Sequence, residues 1–256
     1  MRYTKMLMTV DVGNTNIAVG VYDAERLVSS FRMITKSQRT SDEFGSEFYS
    51  IMTAKGLRLS EVTDVVISSV VPNLNHALVS SIIKYFHVEP MMISTKLNTG
   101  ILTDIPDLGN DRLVDAAAAY HEYGGPVLVI DFGTATTYDY IDKDGKFITG
   151  ITAPGVQIEA DALTAMAAQL PKIELVKPAS VIATDTITSM QAGVVYGYIG
   201  SVEYIIDAVR KEIPDDFKVI ATGGLGSLIC PHTKKIDKYD PDLAYKGMKL
   251  IWERNR

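Results

Sequence analysis

Two stretches of the chain share a pattern suited to holding phosphate. Leu7-Met8-Thr9-Val10-Asp11-Val12-Gly13-Asn14-Thr15 and Leu128-Val129-Ile130-Asp131-Phe132-Gly133-Thr134-Ala135-Thr136 each run from apolar residues into an aspartate, then a glycine, then small hydroxyl or amide residues. A glycine lets the backbone approach a ligand closely. The N–H groups of such a turn, helped by Thr and Asn side chains, donate to phosphate oxygens. An aspartate beside phosphate needs a cation between them, so Asp11 and Asp131 imply a metal or ammonium-like ion. One such turn is an ordinary β-turn. Two of them, 120 residues apart in a chain of 256, point to duplication. A third group, Gly109-Asn110-Asp111-Arg112, opens a predicted helix. There an acid can take a proton from a hydroxyl, and a guanidinium can grip a carboxylate or phosphate with two bonds, at the positive end of a helix dipole. A fourth, Ala221-Thr222-Gly223-Gly224-Leu225-Gly226, follows a strand and could let a flat ring such as adenine lie against the backbone.

The elements that carry these groups follow from hydrophobic period. Residues 6–11, 16–23 and 27–35 read as a three-strand meander. Residues 41–55 read as a helix with Phe44, Phe48, Ile51 and Met52 on one face, Ser41-Asp42 as caps and Gly56 as its stop. A strand over 64–71, a helix over 73–86, a short strand over 91–94 and a helix from Asn110 to Tyr123 follow, the last ended by Gly124-Gly125. The pattern then restarts. Strands are expected over 126–131, 134–142 and 146–152, with Lys143-Asp144-Gly145 as a hairpin turn. Helices are expected over 155–170 and 186–213, the second with room for a break between Gly193 and Gly200. A strand over 217–221 and a terminal helix over 242–256 complete the second half. The stripe Ile199, Val202, Ile205, Ile206 and Val209 is either core or a subunit interface. A repeated βββαβα unit implies two α/β lobes, residues 1–124 and 125–256, with a cleft between them.

Composition narrows the class further. At 46% hydrophobic and 22% charged residues, the chain is an ordinary globular protein, neither disordered nor collagen-like nor a disulfide scaffold. No apolar run reaches the ~18–20 residues of a membrane span. The amino-terminal stretch, with Arg2 and Lys5 running into Asp11, lacks the features of a signal peptide. The single cysteine, Cys230, forms no internal disulfide and fits a reducing cytoplasm. With a net charge of −6 and no basic stripe, nucleic acid is not an expected partner. His76, His87, His121 and His232 are scattered and make no metal site. Neither a P-loop nor a Gly-x-Gly-x-x-Gly fingerprint occurs.

In order and spacing, the Asp11–Asn16 segment, Gly109-Asn110-Asp111-Arg112, Asp131-Phe132-Gly133-Thr134-Ala135-Thr136-Thr137 and the Gly223-Gly224 loop resemble type III pantothenate kinase, a family of the acetate kinase/sugar kinase/Hsp70/actin superfamily. The resemblance runs from Met6 to about Asn255. It implies the duplicated actin-like ATPase fold, ribonuclease H-like in each lobe. It also implies ATP-dependent phosphorylation of pantothenate, the first step of coenzyme A biosynthesis, by a cytoplasmic homodimer using Mg2+ and a monovalent cation, K+ or NH4+. Carried over by position, Asp11, Val12, Gly13, Asn14, Thr15, Asn16, Ile17 and Ala18 form the first phosphate loop, with Asp11 near the metal. Asp111 is the base for the pantothenate hydroxyl. Gly109, Asn110, Asp111 and Arg112 line the substrate pocket. Asp131 ligates the monovalent cation, Thr134 contacts ATP and Thr186 contacts substrate. Four departures bear on the pantothenate contacts rather than on the ATP site. Leu102 stands where the family often has Tyr, and Asp104-Ile105 where Asn-Pro is common. Asn110 replaces an Ala, and Asp185 replaces an Asn. A catalytically silent nucleotide-binding regulator of the same fold is the alternative, and the retained Asp111 and Arg112 speak against it. An actin-like filament protein would need more chain than is present.

Overall fold

The computed structural model describes residues 5–256; residues 1–4, with the Arg2 of the amino-terminal stretch, lie outside the described residues. The chain forms two compact units. The first holds residues up to Ile101, then Ile105–Ala118 and Leu243–Arg256; the second holds Leu102–Asp104 and Ala119–Asp242.

The first unit is built on strands β1 (Met6–Val12), β2 (Asn16–Asp23), β3 (Arg26–Ile34), β4 (Val62–Ser69) and β5 (Met91–Met92), ordered β3-β2-β1-β4-β5. β1 is the central strand, apolar and buried almost throughout, as a strand covered on both faces must be. Its alternate residues Met6, Met8, Val10 and Val12 pack with Phe44, Phe48 and Met52 of helix α1 (Ser41–Ala54) and with Leu74, Leu78 and Ile82 of helix α2 (Pro72–Phe86). The cap of α1 is Thr40, one residue before the expected Ser41-Asp42. The Glu43 N–H donates to Thr40 Oγ1 at 3.2 Å, and the Thr40 N–H donates to Glu43 Oε2 at 2.7 Å. Only a cap at 40 puts a glutamate at the third helical position, where both bonds can form.

The second unit contains β6 (Leu102–Thr103), β7 (Val127–Phe132), β8 (Ala135–Ile141), β9 (Lys146–Pro154), β10 (Lys218–Thr222) and β11 (Lys238–Tyr239), ordered β11-β10-β7-β8-β9-β6. With β6 set aside, β9-β8-β7-β10-β11 repeats β3-β2-β1-β4-β5. The strand senses repeat too: antiparallel at β1/β2 and β7/β8, parallel at β1/β4 and β7/β10. The duplication expected from two turn motifs is therefore a duplication of topology. β6, β11 and the one-turn helix Gly226–Ile229 were not expected, because elements of two to four residues carry no period.

Helix α3 (Asn110–Tyr123) follows β6, and α4 (Val156–Met166) stops four residues short of the expected end. Helix α5 (Thr186–Glu212) is unbroken through Gly193, Gly197 and Gly200. Its opposite face carries Val194, Val195, Tyr198, Ile199, Val202, Ile206 and Val209 in the core of the unit, with Ile205 packed alongside, so the apolar stripe is core. Tertiary burial outweighs the glycine cost of ~1 kcal/mol each.

The division of the chain differs from the expected halves. The terminal helix, Leu243–Asn255, belongs to the first unit and packs on β1 and β4. Leu243, Tyr245, Met248 and Ile251 are its large buried apolar side chains. Gly247 lies so close to α3 that a Cβ there would sit 2.2 Å from the Val114 carbonyl oxygen. An amphipathic helix goes to the sheet face that covers its stripe, and sequence order does not decide which sheet that is.

Candidate active site

The first turn is shaped by the register of β1 on β2, in which Asp11 faces Ala18 and Val12 faces Ile17. Gly13, Asn14 and Thr15 span it. The Gly13 N–H donates to the Asn16 carbonyl at 3.0 Å. Thr35, just past β3, clamps the turn from outside: its Oγ1 donates to the Gly13 carbonyl at 2.7 Å, and its N–H donates to the Thr15 carbonyl at 2.9 Å. Asn14, Thr15 and Asn16 are exposed and Asp11 is half-buried, while the side chains of Val12 and Ile17 are in the core. Val12 and Ile17 can therefore offer a ligand only backbone, and Ala18 lies at the half-buried foot of the hairpin.

The Gly-Asn-Asp-Arg segment opens α3 in the same unit. The Asn110 side-chain amide donates to the Ser69 carbonyl at 3.3 Å. Ser69 lies beside Val12 in the parallel β1/β4 ladder, and the Val70 N–H donates to the Val12 carbonyl at 3.0 Å. Asn110, the departure from the family's alanine, thus pins the start of α3 to the strand end that carries the first turn. Asp111 Oδ1 accepts from the Arg112 N–H at 2.8 Å. A Cβ on Gly109 would lie 2.6 Å from that same oxygen, so glycine is what lets the carboxylate sit there. Arg112 is half-buried beside it.

In the second unit, Asp131 is walled by glycines. A Cβ on Gly223, whose φ is +89°, would fall 2.3 Å from Asp131 Oδ1, and one on Gly133 would fall 3.2 Å from Oδ2. The Leu225 N–H donates to the Phe132 carbonyl at 3.3 Å, and Tyr239 Oη donates to the Gly223 carbonyl at 2.9 Å. The turn itself is Gly133-Thr134, one residue shorter than the first. The Gly155 N–H donates to the Thr134 carbonyl at 3.1 Å, and Thr134 is exposed. Two glycines of the loop expected to receive a flat ring have packing reasons of their own: Gly223 against Asp131, and Gly226 against the Tyr239 ring.

Leu102 and Thr186 also lie in the second unit. Leu102 is exposed in β6, its N–H donating to the Gly145 carbonyl at 2.9 Å. Thr186 is the exposed first residue of α5, capped by Asp185, which accepts from the Thr188 N–H at 3.0 Å and from Thr188 Oγ1 at 2.5 Å. Those two bonds hold the Asp185 carboxyl below its ordinary range. Aspartate caps a helix as well as the family's asparagine does. The structure thus joins the first turn to Gly109–Arg112 in one unit, and Asp131 to Thr134 in the other. Among the described residues, neither Leu102 nor Thr186 hydrogen-bonds to Asp131 or Thr134 of their own unit.

Among the described residues, no group of three or more His, Cys, Asp and Glu side chains could cage a metal ion. The donor sets fit looser binding. Mg2+ is commonly held by one or two carboxylates together with substrate phosphates, and Asp11 at the first turn could supply such a carboxylate. Asp131, a single carboxylate cradled by backbone, suits a monovalent cation. Cys230 is half-buried, and burial pushes its thiol up to about 11, so it is no nucleophile at neutral pH. Thr35 and Gly155, which shape the two turns, were not singled out from sequence. Their roles arise from strand pairing tens of residues away.

The chain matches the family model for type III pantothenate kinase over residues 7–208. The chain belongs to the type III pantothenate kinase family. A protein of that name from Agathobacter rectalis is 50% identical over 253 residues, 97% of each chain. One from Bifidobacterium longum subsp. infantis is 44% identical, covering 98% of this chain and 99% of its own. Among solved structures, a conserved putative Baf family transcriptional activator from Campylobacter jejuni superposes with a TM-score of 0.61 at 19% identity, covering 96% and 97% of the two chains. Component A of (R)-2-hydroxyglutaryl-CoA dehydratase from Acidaminococcus fermentans gives 0.56 at 12% identity, covering 96% of each. At those identities the likeness concerns fold alone, and the fold is the α/β, actin-like ATPase fold that the family resemblance implies.

Proposed function

We propose that the protein transfers the γ-phosphoryl group of ATP to the hydroxyl of pantothenate, giving 4'-phosphopantothenate and ADP at the first step of coenzyme A biosynthesis. The observation that carries this reading is the Asn110 bond, which fixes an Asp-Arg pair beside the strand end bearing the phosphate turn. Backbone N–H groups at the Asn14-Thr15 tip of the turn, with the Asn and Thr side chains, bind phosphate oxygens, while the Gly13 N–H closes the turn on the Asn16 carbonyl. Arg112 grips the pantothenate carboxylate. Asp111 orients the hydroxyl and takes its proton as the new O–P bond forms and the bond from Pγ to ADP breaks. Thr134 contacts the nucleotide, and Thr186 and Leu102 border the substrate. Magnesium arriving with ATP, near Asp11, and potassium or ammonium at Asp131 supply positive charge to the phosphates when bound.

The same reading takes the protein to be a homodimer of the cytoplasm. Among the described residues, no helix is long and apolar enough to cross a membrane. The test is ADP release on adding pantothenate to the protein with Mg-ATP, with and without potassium. Pantothenate-dependent release that rises with potassium is expected. Nucleotide binding without turnover under either condition would favour the regulator reading.

A further inference from the structure

In the β1/β4 ladder the register partner of Asp11 is Ser68. Partners on adjacent strands project to the same sheet face, with strands about 4.8 Å apart. Ser68 is fully buried, and its Oγ has no hydrogen-bond partner. Neighbouring hydroxyls are satisfied: Thr9 Oγ1 donates to the Gly20 carbonyl at 3.3 Å, and Ser69 Oγ donates to Asn75 Oδ1 at 2.6 Å. A buried hydroxyl left unpaired costs free energy that alanine at the same site would avoid. The duplicated unit repeats this register. Thr222, also buried, is the register partner of Asp131 in the β7/β10 ladder.

We propose that Ser68 is a positioning residue for Asp11, its hydroxyl donating to the Asp11 carboxylate when Mg-ATP is bound and holding it toward the phosphate turn. The inference rests on the reading of that turn as the ATP site. A hydroxyl one strand away is well placed for this work. It adds no charge, it turns by rotation about one bond, and it is shielded from water that would compete for the carboxylate.

The test is titration of the full chain with a non-hydrolysable ATP analogue, with and without magnesium, in the parent, Ser68→Ala and Ser68→Thr, alongside thermal melting without ligand. Ser68→Ala should melt at or above the parent temperature and bind the analogue as the parent does without magnesium. With magnesium it should bind about 10-fold more weakly, the size typical of removing a partner that orients a metal-ligating group. Ser68→Thr, which restores the hydroxyl, should recover that affinity. Parent-like binding by Ser68→Ala in magnesium, or equal weakening with and without it, overturns the positioning role. A parent chain with no magnesium-dependent binding overturns the ATP site and this inference together.

Discussion

The two repeated turns share an aspartate, a glycine and a central-strand setting, yet they differ in length and in what surrounds the aspartate. The first is three residues long and tied from outside by Thr35, and it leaves Asn14, Thr15 and Asn16 in solvent. The second is two residues long, with Gly133 and Gly223 closed around the Asp131 carboxylate. After duplication, one residue of turn length separates a set of open donors from a cradled carboxylate. On the proposed reading the open donors take an anion and the cradle takes a cation. The first unit also holds Asp111 and Arg112, so on the proposed reading the proton-transfer chemistry falls to the first repeat and the cation to the second.

That contrast can be broken at several points. The largest effect is expected from Asp111→Asn, which should lower kcat by about 100-fold or more, within the 10²–10⁴ span of general-base effects. Nucleotide affinity should change little, and the potassium response of the residual rate should persist. Wild-type-like turnover in steady-state assays would place the base elsewhere. Next is Gly223→Ala. It must adopt a left-handed φ and meet the Asp131 carboxylate and the Phe132 backbone, so a loss of more than ~2 kcal/mol is expected in denaturant unfolding, since the backbone strain alone is of order 1–2 kcal/mol. Gly13→Ala serves as its counterpart. Its Cβ would sit 3.1 Å from the Asn16 carbonyl without a positive φ, so it should be better tolerated. Equal destabilisation of the two variants would erase the contrast between an open turn and a closed one. The smallest effect is expected from Thr35→Val, which removes the 2.7 Å bond to the Gly13 carbonyl. It should cost about 1 kcal/mol of stability and weaken nucleotide binding without touching the cation response.

Much of this was legible before the coordinates. Central strands rich in Val, Ile and Leu, and Asp-x-Gly at both strand ends, carry strong local signals, and β2 falls on its expected residues 16–23. α3 likewise runs from Asn110 to Tyr123 as expected. What escaped depends on partners distant in sequence. The terminal helix crosses back to the first unit because its apolar stripe finds cover there. α5 stays unbroken through three glycines because its other face is buried. Thr35 clamps a turn 20 residues away because a meander brings it alongside. In sequence, Asn110 is one of the departures that bear on the pantothenate contacts. Its bond to Ser69 is invisible without the β1/β4 ladder, and that bond ties Asp111 to the first turn.

The division of labour between the two turns is tested most directly by titrating potassium, at saturating Mg-ATP and pantothenate, against turnover of the parent and of Asp131→Ala. The parent rate should climb with potassium and saturate, while the Asp131→Ala rate should stay flat at a low value. A variant whose rate climbs along the parent's curve would contradict the assignment of the cation to the second repeat.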